Sequence, residues 1–368
     1  MTVKKKKNRR GIKVLKILCL LPAVLLMLLT AAGITGRSIH RHRHPIDPEK
    51  GVDESIFVPV CGQEQYLLLR GRNTENPVIL YLHGGPAGPD AAISNVFSDY
   101  LIDDYTVVCW DQRGCGRTYY HNQDKDPENT TATFEQALRD TDAVVEYLRG
   151  RFHAGQVIIM GHSYGSLLGS RYVKANPDKV RAFVGIGQFV NVERSDELSY
   201  QDALNAAAAR NEDPAALHAA YQKYLNAADL KAFLELRKAT APYHPASVQA
   251  HTMRSALFSP YTGISDARWT LKQMLDPDGF FARNRQLFDL VSTCDIYDDD
   301  LNYPVPAFFI SGDRDFVCNY TLSEQYCKDI HAPLKEFAAV SGCGHVPQFA
   351  VPEAFTDILK GMLDKCPE

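Results

Sequence analysis

The chain has 368 residues, 45% of them hydrophobic, enough for a sizeable core in one large domain or two small ones. The formal net charge is −4 but is unevenly spread: residues 1–46 hold eleven Lys/Arg and no acid, which leaves 29 basic against 44 acidic residues in the rest. That remainder has no cationic excess with which to neutralise phosphates, which argues against nucleic acid as a partner of the folded part.

The chain opens on Lys4-Lys5-Lys6-Lys7-Asn8-Arg9-Arg10, followed by an apolar run from Ile17 to Ile34 broken only by Pro22, Thr30 and Gly33. Eighteen helical residues reach about 27 Å, close to the hydrocarbon thickness of a bilayer. The pattern predicts a basic cytoplasmic tail at 1–16 and a single transmembrane helix at 17–34, with the folded part outside the cell membrane. The alternative is a secreted protein cleaved at the small residues Thr30-Ala31-Ala32-Gly33. Residues 35–52 read as a linker. Within it, His40, His42 and His44 alternate with arginine as a solvated basic tether, and no metal site is expected.

Ser55–Val60 and Tyr66–Leu69 flank Cys61-Gly62-Gln63 and predict a hairpin. From Val78 onward, strand-like and helix-like runs alternate, the pattern of a mainly parallel sheet. Thr133 with Gln136 marks a helix start, as does Thr321 with Glu324, and Pro352 opens the last helix. Residues 188–301 are rich in Ala, Leu, Glu and Lys at helical spacing, with no β-like run of comparable strength. The nine cysteines contain no C-x-x-C pair, which argues against zinc. Cys61, Cys294, Cys318, Cys327 and Cys366 could form disulfides outside the cell.

Five apolar runs end in turns that carry polar groups. Val78–Leu82 ends in His83-Gly84-Gly85-Pro86, and Val107–Trp110 ends in Asp111-Gln112-Arg113-Gly114-Cys115-Gly116-Arg117. Val157–Met160 ends in Gly161-His162-Ser163-Tyr164-Gly165, Val305–Ser311 in Gly312-Asp313-Arg314-Asp315, and Phe337–Val340 in Gly342-Cys343-Gly344-His345. In a parallel sheet such turns gather at the carboxyl edge, where ligands bind. The third is a G-x-S-x-G elbow between a strand and a helix, and the order Ser163, Asp315, His345 is that of α/β-hydrolases.

HGGP and DQRGCGR resemble the HGGPG and DQRGCGRS motifs of the proline iminopeptidase branch of the α/β-hydrolase superfamily. The likeness runs from about Glu54 to the C-terminus. Ala87 replaces the last glycine of HGGPG, and GHSYGS stands where many bacterial members have GGSWGS. The resemblance implies an α/β-hydrolase core at 53–187 and 302–368, with the helical stretch 188–301 inserted as a cap. It implies Ser163 as nucleophile, His345 as general base and Asp315 as the acid that orients it, with Asp313 the competing acid. Backbone N–H groups of Gly85 and Tyr164 would form the oxyanion hole. His83 is expected to shape its loop, and Asp111 and Arg113 to pair with each other.

A serine at the elbow excludes the dehalogenase and epoxide hydrolase chemistries, which need a carboxylate there. It points to acyl transfer to water without a cofactor. The resemblance implies an aminopeptidase that releases proline or small N-terminal residues from short peptides, with acidic cap residues to hold the substrate ammonium. Glu193, Asp196, Glu197 and Asp202 are the candidates by position. Two alternatives remain at this level: a carboxylesterase or lipase-type enzyme acting on small acyl esters, and an inactive tethered binding module.

Overall fold

The computed structural model describes residues 20, 24–25, 27–227, 229–243 and 249–367. Eight strands form one sheet in the order β1-β2-β4-β3-β5-β6-β7-β8. They are β1 (Val52–Val60), β2 (Gln63–Gly71), β3 (Val78–Leu82), β4 (Thr106–Asp111), β5 (Val157–His162), β6 (Val180–Ile186), β7 (Ala307–Gly312) and β8 (Lys335–Val340). β1 and β2 form the expected hairpin, and β2 also runs antiparallel to β4. Every pairing from β4 through β8 is parallel.

The strand sequences explain this division. β1 alternates between exposed and covered side chains, as an edge strand does, whereas β3, β4, β5 and β7 are buried at every position. A central parallel strand has helices on both faces and therefore reads as a continuous apolar run. Leu80, Leu82, Val108 and Ile159 project into one core, while Ile79, Tyr81, Val107 and Ile158 project into the other.

Helix Phe134–Phe152 begins at Thr133, whose hydroxyl accepts from the Gln136 N–H at 3.1 Å. The Gln136 side chain does not return to the cap, as a full capping box would require. It donates to Asp140 instead. Helix Tyr320–Asp329 is capped by Asn319 rather than Thr321: the Asn319 carboxamide accepts from the Thr321 N–H at 3.0 Å. Between β6 and β7 the chain passes through helices Val192–Ala209, Ala215–Ala227, Leu230–Thr240, Gln249–Phe258, Ile264–Leu275, Pro277–Arg283 and Arg285–Thr293.

At the amino end, residues 27–43 are helical, where the sequence predicts a linker from residue 35. Tertiary contacts hold this segment. Arg37 donates to the Thr262 carbonyl at 2.6 Å, His40 meets Asp99 at 2.8 Å, and Gly36 lies against the Phe258 ring. The expected tail 1–16 lies outside the described residues, as does part of the expected membrane segment 17–34. Among the described residues no helix is long and apolar enough to cross a membrane. The eight described cysteines, Cys61, Cys294, Cys318, Cys327 and Cys366 among them, are free thiols.

Asp111 and Arg113 do not pair with each other. Asp111 accepts from the Arg117 N–H at 2.9 Å, and burial pushes its carboxyl up to about 7. Arg113 instead crosses to helix Phe134–Phe152 and meets Asp140 through Nε at 2.6 Å and a terminal nitrogen at 2.9 Å. Gln65 also donates to Asp140, at 2.8 Å, and Arg113 donates to the Cys61 carbonyl at 3.0 Å. This buried network joins the hairpin, the turn after β4 and the helix. Removing one partner would leave a charge uncompensated in the interior. Asp140→Ala should therefore cost about 3–5 kcal/mol in urea unfolding, and a loss below about 1 kcal/mol would show that the pair is not structural.

Candidate active site

β5 passes directly into helix Tyr164–Ala175, and Ser163 occupies the junction at φ 53°, ψ −122°. This is a conformation that L-residues rarely adopt. Its surroundings leave little alternative. A Cβ at Gly161 would collide with the Gly165 carbonyl, and a Cβ at Gly165 with the Leu82 carbonyl, so both positions need glycine. The Ser163 N–H donates to Ile186 O at 2.9 Å, which ties the turn to β6.

The expected base and acid meet. His345 Nδ1 lies 2.9 Å and 3.0 Å from the two Asp315 carboxylate oxygens. Asp315 is fully buried, and its Oδ1 also accepts from the N–H groups of Val317 (2.9 Å) and Cys318 (3.0 Å). Asp313 points elsewhere and accepts from the Gly342 N–H at 2.8 Å, so it staples the histidine loop to the turn after β7. Gly187, at φ +51°, lies beneath the pair. A Cβ there would sit 2.9 Å from an Asp315 oxygen and 3.1 Å from His345 Nδ1.

Two further histidines support the loops. His83 Nδ1 donates to the Gly84 carbonyl at 2.8 Å, and its Nε2 accepts from the Gln112 N–H at 3.3 Å. Burial pulls its pKa down to about 4, so it stays neutral and holds two glycine-rich turns together. His162 donates from Nε2 to the His345 carbonyl at 2.9 Å. Burial, reinforced by the nearby His345, lowers its pKa to about 3. The sequence reading assigned His162 no role; the signal was its place in GHSYGS, where the motif that it resembles, GGSWGS, has glycine.

A cavity of about 310 Å³ opens over Ser163. Gly85 and Tyr164, the expected oxyanion donors, line it, together with Phe189, Phe233, Phe280, Phe281 and Phe288. Arg237 reaches the cavity from helix Leu230–Thr240 and is another residue that the sequence reading missed. The Cys318 thiol lies 4.0 Å from Ser163 Oγ and is held protonated by burial.

The four acidic candidates separate on helix Val192–Ala209. Glu193, Glu197 and Asp202 are exposed, whereas Asp196 is buried. Helical spacing explains the split, because Asp196 shares its inward face with Tyr200, Ala203 and Ala207. Asp196 Oδ1 accepts from Arg237 at 2.9 Å, while its Oδ2 is buried with no hydrogen-bond partner.

Residues 77–350 match the alpha/beta hydrolase fold family, and the chain belongs to that family. It is therefore a hydrolase, with aminopeptidases and proline iminopeptidases among its relatives. It is 26% identical over 318 residues to the probable aminopeptidase YbaC of Bacillus subtilis, covering 85% of this chain and 97% of that protein. It is 31% identical over 172 residues to a proline iminopeptidase of Arabidopsis thaliana, a match that spans 44% of this chain and 42% of the relative. Among solved structures, the proline iminopeptidase of Mycobacterium smegmatis superposes with a TM-score of 0.59 at 18% identity, over 85% of this chain and 98% of the other.

The two acids have different partners, and this difference can be tested. Asp315→Asn should lower the rate of hydrolysis by about 10⁴-fold, the scale seen when the orienting acid of a serine-protease triad is amidated. Asp313→Asn, which disturbs only a turn, should cost less than about tenfold. The reverse ranking in steady-state assays would transfer the orienting role to Asp313.

Proposed function

We propose that this protein is a serine aminopeptidase that releases N-terminal proline or a small residue from short peptides through an acyl-enzyme on Ser163. The observation that carries this reading is the elbow serine and the glycine-rich loop on one cavity, with the His345–Asp315 pair tied to the elbow through the hydrogen bond from His162 to the His345 carbonyl. In the proposed cycle, Ser163 Oγ attacks the scissile carbonyl and passes its proton to His345. Asp315 holds the imidazole tautomer and stabilises the imidazolium. The N–H groups of Tyr164 and Gly85 receive the developing oxyanion. His345 returns the proton to the leaving amine, and water activated by the same histidine then frees the acid and restores Ser163.

The phenylalanine-lined wall suits an apolar side chain or a pyrrolidine ring. Asp196 is the proposed partner for the substrate ammonium. Its buried Oδ2 has no hydrogen-bond donor, and an N-terminal ammonium is the donor that an aminopeptidase substrate brings. A second reading, an esterase acting on small acyl esters, draws support from the charge of the cavity wall. Arg237 is the charged residue that lines it, and Asp196 reaches it only through that arginine.

Substrate pairs separate the two readings. Proline and alanine amides should be cleaved roughly a hundredfold or more faster than their N-acetylated forms, because an acetylated substrate would leave the buried Asp196 Oδ2 without a donor. Ser163→Ala should abolish both reactions and the labelling by a fluorophosphonate. Equal rates on free and acetylated amides, or a preference for acyl esters, would favour the esterase.

We also propose that residues 17–34 tether the enzyme to the cell membrane with residues 53–368 outside. The basic cluster Lys4–Arg10 and the length of the apolar run support this placement, and so does the exposure of Leu20, Val24, Leu25, Met27, Leu28, Leu29 and Ile34. Removing residues 1–34 should move the activity from the membrane fraction to the soluble fraction. An enzyme that stays in the soluble fraction at full length would refute the tether.

A further inference from the structure

The docked amino-terminal helix brings a second chemical cluster together, and none of its members lines the cavity over Ser163. The His44 N–H donates to the His40 carbonyl at 2.9 Å, so the two residues lie one helical turn apart on the same face. Their rings stack with centroids 4.9 Å apart. Both face Asp99, which ends the short helix Asn95–Ser98 on the body of the protein. His40 Nε2 is 2.8 Å and His44 Nε2 3.6 Å from the same oxygen, Asp99 Oδ2. One ligand atom from each of the three residues lies within 4.8 Å of the other two. His42, between them in sequence, is exposed on another face.

The remaining contacts orient this group. Arg70 donates to the other Asp99 oxygen at 2.6 Å and to Ser98 at 2.8 Å, which fixes the carboxylate and leaves Oδ2 turned to the histidines. A single His40–Asp99 ion pair would need only one imidazole, yet a second Nε2 converges on the same oxygen. In a tetrahedral zinc site, bonds of about 2.0–2.2 Å to nitrogen and oxygen place neighbouring ligand atoms roughly 3.3–3.5 Å apart. The observed 2.8 Å and 3.6 Å bracket that spacing. Two imidazoles and one carboxylate suit Zn²⁺ better than Mg²⁺ or Ca²⁺, which prefer all-oxygen ligand sets. Beside the group is a cavity of about 730 Å³ lined by His40, His44, Asn95 and Phe258, among others, with room for a fourth ligand such as water.

We propose that His40, His44 and Asp99 form a Zn²⁺ site that clamps helix 27–43 to the body of the enzyme. His40 lies on the amino-terminal helix and His44 directly after its last residue, and the third ligand comes from the segment between β3 and β4. An ion bound there joins the two, whereas the helix otherwise relies on scattered contacts such as that of Arg37 with Thr262.

The test uses the full chain in detergent, freed of metal with a chelator and titrated with Zn²⁺, and with Co²⁺ as a spectroscopic probe. The proposal expects one tightly held ion per chain and the intense visible absorption of four-coordinate Co²⁺. The double variant His40→Ala/His44→Ala should bind Zn²⁺ roughly a hundredfold or more weakly, while His42→Ala binds as the parent does. Zn²⁺ should also slow tryptic cleavage at the exposed Arg41 and Arg43 in the parent but not in the double variant. His44→Ala alone serves as the milder variant if the double one folds poorly. Its hydrolysis rate reports that the fold is intact, because His44 does not touch the Ser163 cavity. Binding that is unchanged in the double variant, or absent from the parent, would overturn the site.

Discussion

The geometry of the site depends on a single tight junction. β5 turns into a helix within one residue, and that residue is Ser163, held at φ 53°. The strain is tolerable because the neighbours leave the chain nowhere else to go. Gly161 and Gly165 pass so close to other backbone atoms that no side chain fits at either position. The Ser163 N–H is anchored to β6. The sheet and the helix packed on it therefore fix the serine hydroxyl more firmly than any contact the hydroxyl itself makes.

Around this point, polar side chains, most of them buried, act as pegs between loops that the sheet alone would leave independent. His83 joins the turns after β3 and β4, and His162 joins the elbow to the histidine loop. Asp313 joins the turn after β7 to the start of that same loop. Arg113 and Asp140 anchor the turn after β4 to a helix and to the edge hairpin. Each peg makes at least one hydrogen bond inside the protein, which limits the cost of the groups that are buried. Together they hold residues from five chain segments in register at the carboxyl edge of the sheet.

The cavity differs in character from these pegs. Its wall carries five phenylalanines, and its charged side chain is Arg237, which pairs with Asp196. A buried carboxylate that uses one oxygen on an arginine and leaves the other without a donor is costly to maintain. Under the proposed function, the substrate ammonium completes the bonding.

Local pattern alone determined much of this protein. The apolar runs from Val78 to Val340, the turns that end them, and the helical stretch between β6 and β7 were all legible, because strand and helix periodicity and turn chemistry are properties of neighbouring residues. The elbow was legible for the same reason, whereas the roles expected of Ser163, Asp315 and His345 came from the family resemblance. Tertiary structure decided the pairings. It set Arg113 against Asp140 rather than Asp111, turned Asp196 inward and left Glu193, Glu197 and Asp202 in solvent, and brought Arg237 to the cavity. It also made residues 35–43, the first part of the expected linker, helical, with His40 and His44 on Asp99. Each of these contacts joins segments far apart in the chain or selects one face of a helix, and their partners are fixed only when the elements pack.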